Sequence, residues 1–214
     1  MAAIPIGLQL YSVREDCKKD LPGTLGRIAK MGYAGVEFAG YYDRSAGELK
    51  KMLDDLGLKC CGTHIGLDTI LGGELAKTAD FNKVLGNRFL IVPGLPEERR
   101  NSRRAWAETA KIFSDAAAKA AEIGMLTGYH NHSHEFAKYD GKTWFQMMVD
   151  QSTPEQLKLE IDTYWVQHGG ADPVYWIRYC GKRQPLFHLK DMVITPQREQ
   201  RFGEIGEGNL NWPA

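Results

Sequence analysis

No stretch of this 214-residue chain approaches the roughly 18 uninterrupted apolar residues that a membrane-spanning helix needs, so no membrane span is expected. The opening segment, Met1–Tyr11, has no basic start followed by a long apolar run. That argues against a secretory signal and for a cytoplasmic protein. A surplus of either charge is lacking too, since 27 Lys and Arg offset 27 Asp and Glu. Nucleic-acid binders usually carry a basic excess, because neutralising phosphates supplies most of their affinity, and no nucleic-acid partner is expected. The one dense basic cluster, residues 98–104, reads as a solvated helix start. Cysteine is scarce: Cys17, Cys60, Cys61 and Cys180 follow neither zinc-ribbon nor disulfide-framework spacing. Cys60 and Cys61 sit in a strand-like run, where small thiols are usually buried. The first strand–loop junction also lacks the G-x-G-x-x-G turn of a dinucleotide-binding fold. Solenoid repeats and low-complexity segments are missing.

What remains is an ordinary globular composition, 43% hydrophobic and 25% charged, in a length that suits one domain over residues 1–214. Short apolar runs alternate with amphipathic stretches. Strands are expected at Ile6–Tyr11, Gly35–Phe38, Lys59–His64, Phe89–Val92, Leu126–Asn131, Leu157–Asp162 and Pro185–Leu189. Between them, Leu21, Leu25, Ile28 and Ala29 recur at helical spacing, with Gly32 as a stop. Ser45 and Glu48 make a capping box for a helix with Leu49, Met52, Leu53 and Leu56 on one face. Further helices are expected at Glu74–Leu85, along Trp106–Ala120, at Thr143–Val149 and after Asp172-Pro173. Such alternation means a parallel sheet covered by helices, and seven units favour a barrel over a doubly wound sheet.

Strand side chains alternate between faces. Leu157, Leu159 and Ile161 therefore share one side of their strand, and Lys158, Glu160 and Asp162 the other. By the same parity His130 and His132 go with Gly128, His188 with Lys190, Glu37 with Gly35, His64 with Gly62, and Gln9 with Tyr11. The apolar sides must face the helices and the polar ones the interior. Glu37, His64, His130, Asp162 and His188 also fall at the C-terminal ends of five different strands, where barrel enzymes assemble their active sites. Burying such groups without partners costs several kcal/mol each, about 2–7 for a neutral polar group and more for a charge, so a bound cation or a polar ligand is the economical partner. Two imidazoles and a carboxylate suit Mn, Co, Zn, Fe or Mg with positions left for substrate. The bland alternative is a polar loop, His130–Glu135, whose histidines cap one another. His134 and His168 read as surface or supporting residues. Trp144 and Trp176 fit a core, and Trp165, three residues after Asp162, could stack on a sugar ring.

Several motifs in order, Gly7-Leu-Gln-Leu-Tyr-Ser-Val-Arg14, Gly35-Val-Glu-Phe38, Thr63-His-Ile-Gly-Leu67, Tyr129-His-Asn-His132, Leu159-Glu-Ile-Asp-Thr-Tyr-Trp165, His188-Leu-Lys-Asp191 and Gly206-Glu-Gly208, resemble the xylose-isomerase-like sugar phosphate isomerase/epimerase family. Its relatives include ketose 3-epimerases, inosose dehydratases and endonuclease IV. The resemblance implies a (β/α)8 TIM barrel whose last strand and helices, with a fourth ligand Glu, are expected beyond residue 214. It implies a divalent metal held by His130, Asp162 and His188, with His130 standing where many members carry a Glu. Glu135 resembles a second carboxylate that would act as the base, and Lys190 would serve as a catalytic cation and anion partner. Glu37, His64, His132, Trp165 and Lys190 would bind substrate. The implied reaction is isomerisation or epimerisation of a sugar or keto-sugar, phosphorylated or not, through an enediolate. A dehydratase using the same intermediate, a metal-dependent endonuclease and a non-catalytic sugar-binding barrel are the rivals, and assembly into a homo-oligomer is left open.

Overall fold

The structure, a computed structural model, describes residues 4–214; Met1–Ala3, the start of the segment read for a leader, lie outside the described residues. The chain forms two compact units. One runs up to Ile91 and takes in Ala120–Leu126; the other comprises Val92–Lys119 and Thr127–Ala214.

In the first unit, β1 (Gly7–Gln9), β2 (Gly35–Ala39), β3 (Lys59–His64) and β4 (Phe89–Val92, its last residue in the second unit) pair in parallel in chain order. The helices between them are α1 (Arg14–Lys19), α2 (Leu21–Lys30), α3 (Ala46–Asp55) and α4 (Glu74–Leu85). Asp20 caps α2 and is followed one residue on by Pro22, which lacks the N–H that a first turn leaves unused. The capping box of α3 forms as expected: Ser45 Oγ accepts from Glu48 N–H, and Glu48 accepts from Ser45 N–H at 2.9 Å. The apolar stripes of α2 and α3 bury Leu21, Leu25, Ile28, Leu49 and Leu53 with Val36, Phe38 and Cys60.

One irregularity sets the aim of β3. Cys60 packs in that core, and three residues later Thr63 Oγ1 donates to Asn82 Oδ1 of α4 at 3.0 Å, so both face helices. Strict alternation forbids this. The register against β2 slips at this point, Val36 opposite Cys60 but Glu37 opposite Gly62, so Cys61 is an extra residue. The bulge turns Gly62 and His64 away from the helices, beside Glu37 and Ala39.

The second unit holds most of α5 (Arg103–Glu122), then β5 (Leu126–His130), a small hairpin of β6 (Lys138–Tyr139) and β7 (Lys142–Thr143), and α6 (Trp144–Asp150). These are followed by β8 (Lys158–Asp162), α7 (Thr163–His168), α8 (Pro173–Cys180), β9 (Leu186–His188) and an antiparallel hairpin of β10 (Asp191–Ile194) and β11 (Gln200–Gly203). β5, β8 and β9 pair in parallel, with His130 opposite Glu160 and Asp162 opposite His188. Leu157, Leu159 and Ile161 are fully buried, and Tyr129 packs edge-on against Phe113 of α5. This is the parallel, helix-separated order of a TIM barrel. Among the described residues no helix is long and apolar enough to cross a membrane.

The seven expected strands are present, several of them shorter. β1 ends at Gln9, because Leu10–Val13 coils into a 3-10 turn whose Tyr11 N–H is capped by the Gln9 side chain. Tyr11 therefore does not share a strand face with Gln9. β9 ends at His188, so Lys190 stands just beyond the strand.

Candidate metal centre

The centre is built on Asp162, the last residue of β8 and the N-cap of α7. Its Oδ1 accepts the Trp165 N–H at 3.0 Å. Asn131, just past the end of β5, extends the strand ladder with its side chain: Oδ1 accepts the Asp162 N–H at 3.0 Å. A fully buried carboxylate is fixed in this way at both its backbone and one oxygen.

The other oxygen gathers nitrogens. Asp162 Oδ2 lies 3.3 Å from His130 Nε2, 3.7 Å from His188 Nδ1 and 2.9 Å from Lys190 Nζ. One ligand atom each from His130, Asp162 and His188 lies within 4.8 Å of the others. Burial alone would push the Asp162 carboxyl up, but hydrogen bonds from His130 and His188 and the charges of His130 and Lys190 outweigh it and hold it well below the usual range. His188 is oriented from behind, its Nε2 being 3.2 Å from Glu160 Oε2 on the same face of β8 as Asp162. A carboxylate behind one ring nitrogen while the other faces the ligand cluster is the supporting arrangement that metal-binding histidines use. Thr163 pins the following turn, donating to the Lys190 carbonyl at 2.8 Å and accepting the Lys190 N–H at 3.0 Å.

Two imidazole nitrogens and one carboxylate oxygen converging from three adjacent strands suit a divalent ion of the zinc, manganese, iron or cobalt type. The Lys190 ammonium, seated on Asp162 Oδ2, shows that this oxygen demands positive charge. The residues present therefore fit a metal.

The remaining expected site residues are placed as follows. His132 is half-buried, with its ring 4.9 Å from that of His130 and 5.2 Å from that of Trp165. Lys190 has three aromatic rings around it, Tyr164, Trp165 and Phe202, at 5.7, 5.4 and 5.0 Å. In the first unit, Glu37 lies midway along β2, not at its end as expected, and His64 ends β3; Gln9 Nε2 donates to Glu37 Oε2 at 2.7 Å, and His64 Nε2 lies 3.5 Å from the same oxygen.

Glu135 differs from the expectation of a base open to substrate. It is fully buried in the turn His134–Phe136. Oε1 accepts the Tyr129 hydroxyl at 2.5 Å and Oε2 accepts the His132 N–H at 2.9 Å, so both oxygens are in use. Tyr129 is on the helix-facing side of β5, opposite to His130, and Glu135 goes with it. Burial raises the Glu135 carboxyl to about 7, and burial together with the Arg100 charge lowers His134 to about 4. Glu160 and Asn131 join the site beyond the residues expected from the sequence. The parity of β8 had already put Glu160 on the face of Asp162, and the Asn of Tyr-His-Asn-His was the available signal for the second.

A model of the family described as xylose isomerase-like TIM barrel matches residues 25–214. The rhizopine catabolism protein MocC of Rhizobium meliloti is 25% identical over 228 residues, covering 91% of this chain and 69% of its own. Among solved structures, a sugar phosphate isomerase/epimerase from Parabacteroides distasonis superimposes with a TM-score of 0.77 at 28% identity, over 100% of this chain and 83% of that one. The IOLI protein, crystallised with a bound zinc atom, gives 0.72 at 14% identity over 97% of this chain and 81% of its own, which shows likeness of fold alone.

Proposed function

The chain belongs to the xylose isomerase-like TIM barrel family, and from that premise we propose that it is a metal-dependent isomerase or epimerase of a sugar or keto-sugar. The observation that carries the proposal is the convergence of His130, Asp162 and His188, with Glu160 orienting His188 from behind. The 28% identity to a sugar phosphate isomerase/epimerase supports the same reading.

His130, Asp162 and His188 would hold the ion, which supplies Lewis-acid polarisation of a substrate carbonyl when bound. To His132, half-buried with its ring 4.9 Å from that of His130, we assign removal of the proton from the carbon next to that carbonyl. Return of that proton to the neighbouring carbon, with the hydroxyl proton passing from one oxygen to the other, interconverts ketose and aldose. Delivery of a proton to the opposite face of the same carbon, by water or a second acid, inverts that centre, while the proton His132 took returns to solvent. Either way atoms and electrons balance without a further reactant. Lys190 supplies positive charge for the oxygen on which negative charge develops, held in place by Thr163. Glu135 holds the His132 amide and so sets where that imidazole stands.

The test is solvent exchange. Metal-loaded protein incubated in D2O with a panel of keto-sugars should introduce deuterium at the carbon next to the carbonyl, and His132→Ala should slow this by at least about 100-fold, the usual size of a general-base contribution. Exchange equally fast without any divalent metal would overturn the proposal.

A further inference from the structure

Beside the cluster stands an aromatic wall that the chemistry above does not use. Phe202, on β11, is 64% exposed. It meets Tyr164 edge-on at 4.6 Å and Trp165 at 6.2 Å with the planes at 89°. Trp165 in turn touches His132 and His168, each with ring centroids 5.2 Å away. The wall is continuous with the candidate centre at two points: the Trp165 amide is capped by Asp162 Oδ1, and Lys190 Nζ bridges from Asp162 Oδ2 to the Phe202 face.

The hairpin that presents Phe202 is firmly anchored. Asp191, fully buried, accepts N–H groups from Met192, Gly206, Gly208, Leu210 and the Trp212 indole. A Cβ at Gly208 would fall 2.2 Å from Asp191 Oδ1, so only glycine passes there. Phe202 is thus an exposed ring on a braced element, which is what a preorganised binding surface requires.

Planar rings interleaved with imidazoles and one ammonium are the chemistry that receives a pyranose, whose C–H face lies on an aromatic plane while its hydroxyls reach polar neighbours. A phosphate would need cations of its own beside these rings, whereas Lys190 is committed to Asp162 and to the developing oxyanion of the reaction proposed above. Resting on the isomerase reading, we infer that Trp165 and Phe202, set at right angles, form an aromatic platform for a second, uncharged sugar ring, one offering its face and the other its edge, and that this ring is joined to the one that reaches the metal cluster. The substrate is then a glycoside rather than a free monosaccharide or a sugar phosphate.

Binding of cellobiose and of glucose to the whole chain, followed by tryptophan emission and by saturation-transfer NMR without metal, tests this apart from turnover. The disaccharide should bind about two- to tenfold more tightly, the value of one ring contact. Phe202→Ala should abolish that preference while leaving glucose binding unchanged, and Phe202→Trp should restore it. Equal affinities in the wild type, or a Phe202→Ala protein that keeps the preference, overturns the platform. So does sedimentation showing that Phe202→Ala only dissociates an oligomer, since exposed Ile194 and Ile205 near Phe202 would then mark a face between copies. A protein that binds metal but shows no preference refutes the platform alone. One that shows the preference but binds no metal refutes the proposed reaction alone.

Discussion

Replacing Glu135 by Gln should make the protein more stable at alkaline pH, although it removes a charge that accepts two hydrogen bonds. The Glu135 carboxyl is fully buried, and burial raises its pKa from an ordinary 4.5 to about 7. The folded chain therefore holds this proton more tightly than the unfolded one. Stability from this group is complete below pH 4.5 and is lost as pH rises through 7. At 1.36 kcal/mol for each pKa unit the loss amounts to about 3 kcal/mol above pH 8. Glutamine resembles the protonated acid in shape and cannot ionise; its carbonyl accepts the His132 N–H while its NH2 donates to the Tyr129 hydroxyl oxygen, without the penalty at high pH. Urea unfolding of wild type and Glu135→Gln at pH 4.5 and pH 8 measures the difference, in which the other titrating groups cancel to first order. The two proteins should lie within about 1 kcal/mol of each other at pH 4.5, the worth of one hydrogen bond, and the variant should gain about 3 kcal/mol on the wild type by pH 8. A difference that does not change with pH would refute the buried, proton-holding carboxyl and reopen Glu135 as an accessible base.

Further outcomes follow from the same geometry. His130→Ala should lower divalent metal affinity at least tenfold, and Glu160→Gln should do so by a similar factor through His188, read by chelator competition. Asp191→Ala should cost about 3 kcal/mol or more in chemical denaturation, because five N–H groups lose one buried acceptor. Because the Asp191 carboxyl is held down to about 2, with the Trp212 and backbone hydrogen bonds outweighing burial, this stabilising effect should persist down to about pH 4 and fade below it.

The barrel was legible because its evidence is periodic. The apolar–polar alternation of Leu157–Asp162 put Asp162 and Glu160 on one face, and β8 forms with that parity. The bounds of β3, α4 and β4 fell where apolar spacing and glycine stops placed them. Short elements were harder to read. α7 is six residues long and starts at the site carboxylate itself, so its signal is one cap, Asp162 to Trp165, and not a repeat. The β10–β11 hairpin has its polar and apolar residues set by the Asp191 cage, a contact across as many as 21 positions that no local window contains. Glu135 is a related case. Its spacing from His130 suggests proximity to the site, but the turn after His132 carries it to the helix-facing side with Tyr129.

The most direct test of the account is a metal titration of the purified chain, stripped of bound ions, by calorimetry with Zn, Mn and Co. Wild type should bind one equivalent of at least one of these ions. Asp162→Asn should abolish that binding, while Glu135→Gln should leave it unchanged. Binding of no divalent ion by the wild type, or full occupancy in Asp162→Asn, would contradict the claim that His130, Asp162 and His188 form a metal centre.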